Sequence, residues 1–255
     1  MWRENLMKNI KHPYGNFRSS ILKSFKNFLQ KIIKFFVNFF CKLDNNDEII
    51  ISSATHCPWL KDQNFLNFFK KVDNFTLLDH PRAYTLWQCS KNLRKTNGMI
   101  LDIGCLLGGS GFIMSKINKN SSTHLFDSFE GFSKDDGLHK KDIFYYDDID
   151  FVKQNIIKLN LKKTFVHKCY FPSGIKIKIK KIKLCHIDVN TFNDTKKIFN
   201  FVRNKIIKGG IIIFDDFGIW GVDGIKKFIY MIEKKYSEEY YFIKNYMGQC
   251  ILIKR

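Results

Sequence analysis

Acidic residues are in short supply in this chain of 255 residues: 24 Asp and Glu stand against 43 Lys and Arg, a formal net charge of +19. Lys is spread over every segment among Asn, Ile and Phe, so a solvated basic surface is the first reading. A polyanion partner (nucleic acid, anionic lipid or an acidic polysaccharide) is the alternative. No two of the seven cysteines, Cys41, Cys57, Cys89, Cys105, Cys169, Cys185 and Cys250, are spaced as C-x-x-C, which excludes a zinc ribbon or a thioredoxin-type redox motif. Their odd number, and the place of several in apolar strand-like runs, point to reduced thiols in a cytoplasmic setting. No apolar run is long enough to span a bilayer; the richest, Ile32 to Phe40, is interrupted by Lys34 and Asn38. The first twenty residues are polar and no cleavage pattern follows an apolar run, so no signal peptide is expected. Internal repeats, low-complexity linkers and RNA-binding motifs are also missing, and nucleic acid is disfavoured as a partner.

What remains is ordinary globular composition, 45% hydrophobic and 26% charged. It falls into three zones: a basic, aromatic arm over 1–45, a bridge or cap over 46–97 containing Pro58 and Pro81, and a main domain over 98–255. In the arm, Ile21, Phe25, Phe28, Ile32, Phe36 and Phe39 recur at three- and four-residue steps, predicting a helix with Lys23, Lys26, Lys31 and Lys34 off its apolar stripe. Such a helix packs on protein, including a second subunit in a homodimer, or lies peripherally on the inner membrane surface through residues 17–42.

The main domain alternates short apolar runs with helical patterns. That predicts an α/β, Rossmann-like doubly wound sheet of about seven strands, the last antiparallel, behind a helical N-terminal extension. Strands are expected at Met99–Ile103, Thr123–Asp127, Thr164–Lys168, Ile182–Asp188 and Ile211–Phe214, the last entered by a turn at Gly209-Gly210. Tyr240–Lys244 and Gln249–Lys254 form a closing pair. Helices are expected near Gly109–Ile117, Phe151–Leu159, Thr191–Ile207 and Val222–Lys235.

Three signals carry chemistry. The run Asp102-Ile-Gly104-Cys-Leu106-Leu107-Gly108-Gly109-Ser110-Gly111 joins a strand to a helix, where glycine lets the backbone approach a ligand. Its spacing misses G-x-G-x-x-G, which favours S-adenosylmethionine over a dinucleotide; a bare tight turn is the alternative. Asp127 closes the second strand some twenty residues further on, where an acid accepts both hydroxyls of a ribose. It also suits a simple helix cap. Asp188 closes the fourth strand and Asp215-Asp216 the fifth. If those strands are neighbours, three carboxylates meet at one sheet edge and need protons or a cation such as Mg²⁺. The alternative leaves one as a cap and the others in solvent.

These blocks, with Phe126-Asp127-Ser128-Phe129-Glu130-Gly131-Phe132 and Gly209-Gly210-Ile-Ile-Ile-Phe-Asp215-Asp216-Phe217, resemble the macrocin O-methyltransferase (TylF-like) family across about 75–235. The resemblance implies an S-adenosylmethionine-dependent, divalent-metal-assisted O-methyltransferase acting on a hydroxyl of a sugar, glycosylated metabolite or surface glycan. It places cofactor contacts at Asp102, Gly104, Gly108, Gly109, Ser110, Asp127, Ser128 and Phe129. It places metal contacts at Asp188, Asp215 and Asp216, with Asp188 also the general base. Four positions depart from it: Asp102 replaces Glu, Leu106-Leu107 replace a Trp-Arg pair, and Asn190 replaces an Asp. Asn190 can ligate through its carbonyl oxygen but cannot act as a base. The polar segment Ser133 to Asp150 is placed as a lid or a surface loop. His186, at i, i+2 from Asp188, reads as a buried hydrogen-bonded side chain ahead of a catalytic one. Arg82 reaches the site or makes a surface ion pair. An RNA methyltransferase and a non-catalytic membrane-associated scaffold are the rival readings.

Overall fold

The computed structural model describes residues 16–41, 56–131, 144–219 and 222–255. Two compact units emerge, Met1–His56 and Cys57–Arg255. In the first, helix α1 spans Asn16–Cys41. Its 26 residues contain no Pro, Gly or acid, so nothing breaks the helix and its stripe of Phe and Ile runs uninterrupted.

The second unit opens with a 3₁₀ turn at Pro58–Lys61 and helix α2, Gln63–Phe69. Asp62 caps α2 by accepting the Phe65 N–H at 3.1 Å. The helix sinks Phe65, Phe68 and Phe69. A second 3₁₀ turn, Asp73–Phe75, leads to helix α3, His80–Asn92. Asp79 caps α3 by accepting the Arg82 N–H at 2.9 Å, and Pro81 sits in the first turn, where its missing N–H costs nothing.

Strands and helices then alternate: β1 Met99–Ile103, α4 Gly109–Ile117, β2 Thr123–Asp127, α5 Ile149–Lys158, β3 Thr164–Lys168, β4 Ile182–Ile187, α6 Phe192–Val202, β5 Ile206–Phe214, α7 Asp223–Tyr236, β6 Tyr240–Lys244 and β7 Cys250–Lys254. The sheet has seven strands in the order β3-β2-β1-β4-β5-β7-β6. Of these, β7 runs antiparallel to both neighbours. The sequence turns outward in both directions from the β1–β4 pair, so the crevice at a doubly wound sheet's switch point lies above the carboxyl ends of those two strands.

Alternating side chains feed two cores. Ile100, Leu125, Leu184 and Ile213 face α2–α5. Leu101, Phe126, Cys185 and Phe214 face α6 and α7. With both faces covered, β4 is buried along its whole length.

The largest departure from the expected boundaries lies between α6 and β5; the others shift by one or two residues. The sixth helix stops at Val202 and β5 starts at Ile206, so Gly209 and Gly210 lie inside the strand. Ile206 pairs with Ile182, and a register irregularity between Ile182 and Leu184 absorbs the extra residues. Gly209, at φ +72°, supplies the backbone turn there.

Lys183 enters β4 from below and is fully buried. Its Nζ donates to the carbonyls of Leu93 and Thr96, both at 3.0 Å, and to Asn118 Oδ1 at 2.7 Å. These bonds tie the end of α3 to the lower edge of the sheet, while burial pushes the ammonium pKa down to about 8.

Candidate active site

The carboxyl ends of β1, β2, β4 and β5 surround a cavity of about 1040 Å³. That is the upper end of the range for small-molecule sites, enough for two ligands side by side. Asp127 stands on one side. Its Oδ2 accepts the Leu106 N–H and its Oδ1 the Phe129 N–H, both at 2.8 Å. Leu106 takes φ +46° to aim that N–H. Burial pushes the Asp127 carboxyl up and these bonds pull it back part of the way. Each oxygen keeps a second lone pair for a ligand hydroxyl.

Gly104, at φ +85°, sits where a Cβ would lie 1.9 Å from the Asp188 carbonyl oxygen. Only a glycine lets the β1 loop press against the end of β4 and join the two halves of the site. Asp188 and Asp216 line the other side of the cavity, together with Asn190 and Arg82. Burial, then repulsion from Asp215 and Asp216, drives the Asp188 carboxyl well above the usual range. The same two causes, burial and Asp215, raise Asp216 to about 6 against the pull of Arg82.

Of the sequence-expected residues, Gly104, Ser110, Asp127, Ser128, Asp188 and Asp216 line the cavity. Asp102, Gly108, Gly109, Phe129 and Asp215 stand behind its wall. Gly108, at φ +91°, starts α4. A Cβ on Gly109 would meet the Phe75 carbonyl at 2.5 Å, so this glycine seats the Phe75–Leu78 segment over the helix start. Phe129 is buried at φ +57° and presents its N–H to Asp127. The part of the expected lid over 133–143 lies outside the described residues; beyond it, Phe144 lines the cavity and Tyr145 bridges to Glu130.

Behind the wall runs a row of buried polar groups that crosses the sheet. Ser110 Oγ donates to Asp102 Oδ2 at 2.7 Å. Asp102 Oδ1 lies 2.8 Å from His186 Nδ1, its cross-strand neighbour. His186 Nε2 is 3.9 Å from Asp215 Oδ1, at ion-pair distance without a hydrogen bond. Asp215 then accepts Gln249 Nε2 at 2.7 Å and Arg82 Nη1 at 2.5 Å. Arg82 reaches on to Asp216 at 3.2 Å and to the Leu77 carbonyl at 3.1 Å. Burial alone would lower the His186 pKa, but Asp102 and Asp215 outweigh it and raise it to about 10. The same His186, with Arg82 and Gln249, overcomes burial and holds Asp215 below its ordinary value.

A family model described as macrocin-O-methyltransferase (TylF) matches residues 73–237, more than half of the chain. The chain belongs to the macrocin-O-methyltransferase family. It is therefore a methyltransferase, and the cavity above β1 and β4 is its candidate active site. The solved structure of the O-methyltransferase NovP is 15% identical at TM-score 0.61, covering 71% of this chain and 82% of that one. The calicheamicin methyltransferase CalS11 is 11% identical at TM-score 0.56, covering 83% and 99%. A Streptococcus mutans methyltransferase structure in complex with S-adenosylhomocysteine (SAH) is 10% identical at TM-score 0.50, covering 70% and 100%. At these identities the likeness is one of fold. No curated protein sequence matches the chain.

The acidic side fits the hard divalent cation this family implies. His186, Asp188 and Asp215 each bring one potential ligand atom to within 4.8 Å of the others. Asn190 Oδ1 is a buried acceptor with no hydrogen-bond partner. Oxygen donors carrying excess negative charge suit Mg²⁺ or Mn²⁺. His186 differs from the rest of this cluster: its Nδ1 is already engaged by Asp102, and only Nε2 faces Asp215.

The sequence reading placed Arg82 at the site or in a surface ion pair without naming Asp215 and Asp216 as its partners, and it missed Gln249. Arg82 and Gln249 lie 133 and 34 positions from Asp215, and neither belongs to a local motif. His186 did carry a signal, its i, i+2 spacing from Asp188.

Proposed function

We propose that this methyltransferase moves the methyl group of S-adenosylmethionine to a hydroxyl of a sugar or glycosylated acceptor, with a divalent cation, Mg²⁺ by its donor set, at the acidic side. The observation that carries this reading is one cavity with Asp127 on one side and Asp188 and Asp216 on the other. S-adenosylmethionine supplies an electrophilic methyl on its sulfonium, and a bound cation lowers the pKa of an acceptor hydroxyl. Asp127 and Ser128 hold the ribose hydroxyls, Asp127 through its remaining lone pairs. Gly104 and Ser110 border the methionine portion, while Asp102, Gly108, Gly109 and Phe129 shape that wall from behind. Asp188, Asp215 and Asp216 supply the carboxylates toward the cation, and the Asn190 amide oxygen adds a neutral donor.

The Asp188 carboxylate takes the proton from the acceptor hydroxyl. Burial and the neighbouring carboxylates raise its pKa, which makes it a stronger base than a free carboxylate. Asn190 cannot share that work, so base and ligand fall to the same residue. Alignment of hydroxyl oxygen, methyl carbon and sulfur across the cavity supplies the rest of the rate. A sugar acceptor is supported by an apo structure of CalS11 described as a TDP-rhamnose 3'-O-methyltransferase, 12% identical at TM-score 0.53.

Calorimetry with S-adenosylmethionine, SAH, Mg²⁺ and Mn²⁺ tests the reading. Asp127→Ala is expected to weaken cofactor binding about 10-fold or more, the worth of hydrogen bonds to a charged group, while keeping metal binding. Asp188→Ala is expected to lose metal binding and keep the cofactor. A wild-type protein that binds neither S-adenosylmethionine nor SAH would sink the reading.

A further inference from the structure

We propose that α1 is an interfacial helix that docks the protein on an anionic lipid bilayer, lying in the plane of the surface. The proposal rests on α1 alone and is independent of the acceptor reading. At 100° per residue, Phe25, Phe28, Ile32, Phe35 and Phe36 fall within about 100° of arc. All five are exposed, Phe35 to 69% and Phe28 to 59%. Rings held this far in water along a helix about 39 Å long make a contiguous apolar surface of the kind that marks an interaction site.

Charge selects the occupant. The helix carries Arg18, Lys23, Lys26, Lys31 and Lys34 and no Asp or Glu. Lys31 and Lys26 flank the apolar arc and Lys34 lies opposite it, so extended Lys side chains reach headgroup phosphates while the rings sink among the acyl chains. A second copy of α1 would bring the same cations and no carboxylate to meet them. Among the described residues no helix is long and apolar enough to cross a membrane, so the lipid contact proposed for α1 is a surface one.

The test is co-sedimentation of the full chain with vesicles of phosphatidylcholine alone and of phosphatidylcholine mixed with phosphatidylglycerol. Wild type is expected to sediment with the mixed vesicles and to be released by salt. Phe28→Ser/Phe35→Ser is expected to lose at least 10-fold in binding, with the melting temperature of the Cys57–Arg255 unit unchanged. Lys31→Gln/Lys34→Gln is expected to lose several-fold and to respond less to salt. Wild type left in the supernatant with mixed vesicles overturns the proposal, as does a Phe variant that sediments like wild type. A lipid-free dimer that the Phe variant dissociates overturns it in favour of a second copy.

Discussion

His186 is fully buried, yet Asp102 and Asp215 hold it protonated, with a pKa of about 10. A histidine raised above its unfolded value of 6.5 contributes its full stabilisation below pH 6.5 and loses it as pH rises toward about 10. In chelator, unfolding free energy is therefore expected to fall across that window, with an upper bound of about 5 kcal/mol. His186→Gln should flatten the fall; a variant with the wild-type slope would show that the charge lies elsewhere. Arg82 is the second built-in cation. Arg82→Ala leaves Asp215 buried and short of countercharge, at an expected cost of about 3–5 kcal/mol. Thermal melts should show added Mg²⁺ raising the melting temperature of this variant more than that of wild type, because the cation stands in for the missing charge. Gly104→Ala forces a Cβ onto the Asp188 carbonyl at a left-handed φ. Its melting temperature should drop by several degrees or more, together with cofactor affinity.

At the scale of elements, β2 and β3 share a ladder of rings. His124 Nδ1 lies 3.0 Å from His167 Nε2, and His124 stacks on Phe126 and Phe165. Burial, with His167 beside it, lowers the His124 pKa to about 4. The linkage here has the opposite sign to that of His186: the contribution is whole above pH 6.5 and is lost as pH falls toward 4. His124→Phe keeps the stack and removes the titration, so acid unfolding should become less steep; equal midpoints and slopes in the two proteins would refute this. The elements also show where a sequence reading stops. Phe199, Val202 and Ile206 fall at helical spacing, so periodicity alone carries the helix past Val202. The chain leaves the helix because Ile206 pairs with Ile182 across the sheet, a contact that no local pattern records. Strands β1 to β4, by contrast, were legible almost to the residue, because buried parallel strands are short apolar runs closed by Asp or Gly.

For the whole molecule, the legible part was the sheet and the two acidic ends of its cavity, since both follow from strand ends and glycine turns. The illegible part was what the region before β1 does for the site. Asp79 caps α3 and so points Arg82 at Asp215 and Asp216, and Phe75 settles on Gly109. The candidate active site thus depends on a segment that precedes the sheet and shares no motif with it. Lys183 lends itself to a different use. Its amine is fully buried and three times bonded, whereas Lys residues elsewhere on the surface lie open to reagents. An amine-reactive label would reach Lys183 only after α3 and β4 had parted, so peptide mapping of that single site reads the molecule's opening directly, as a clock for unfolding under native conditions.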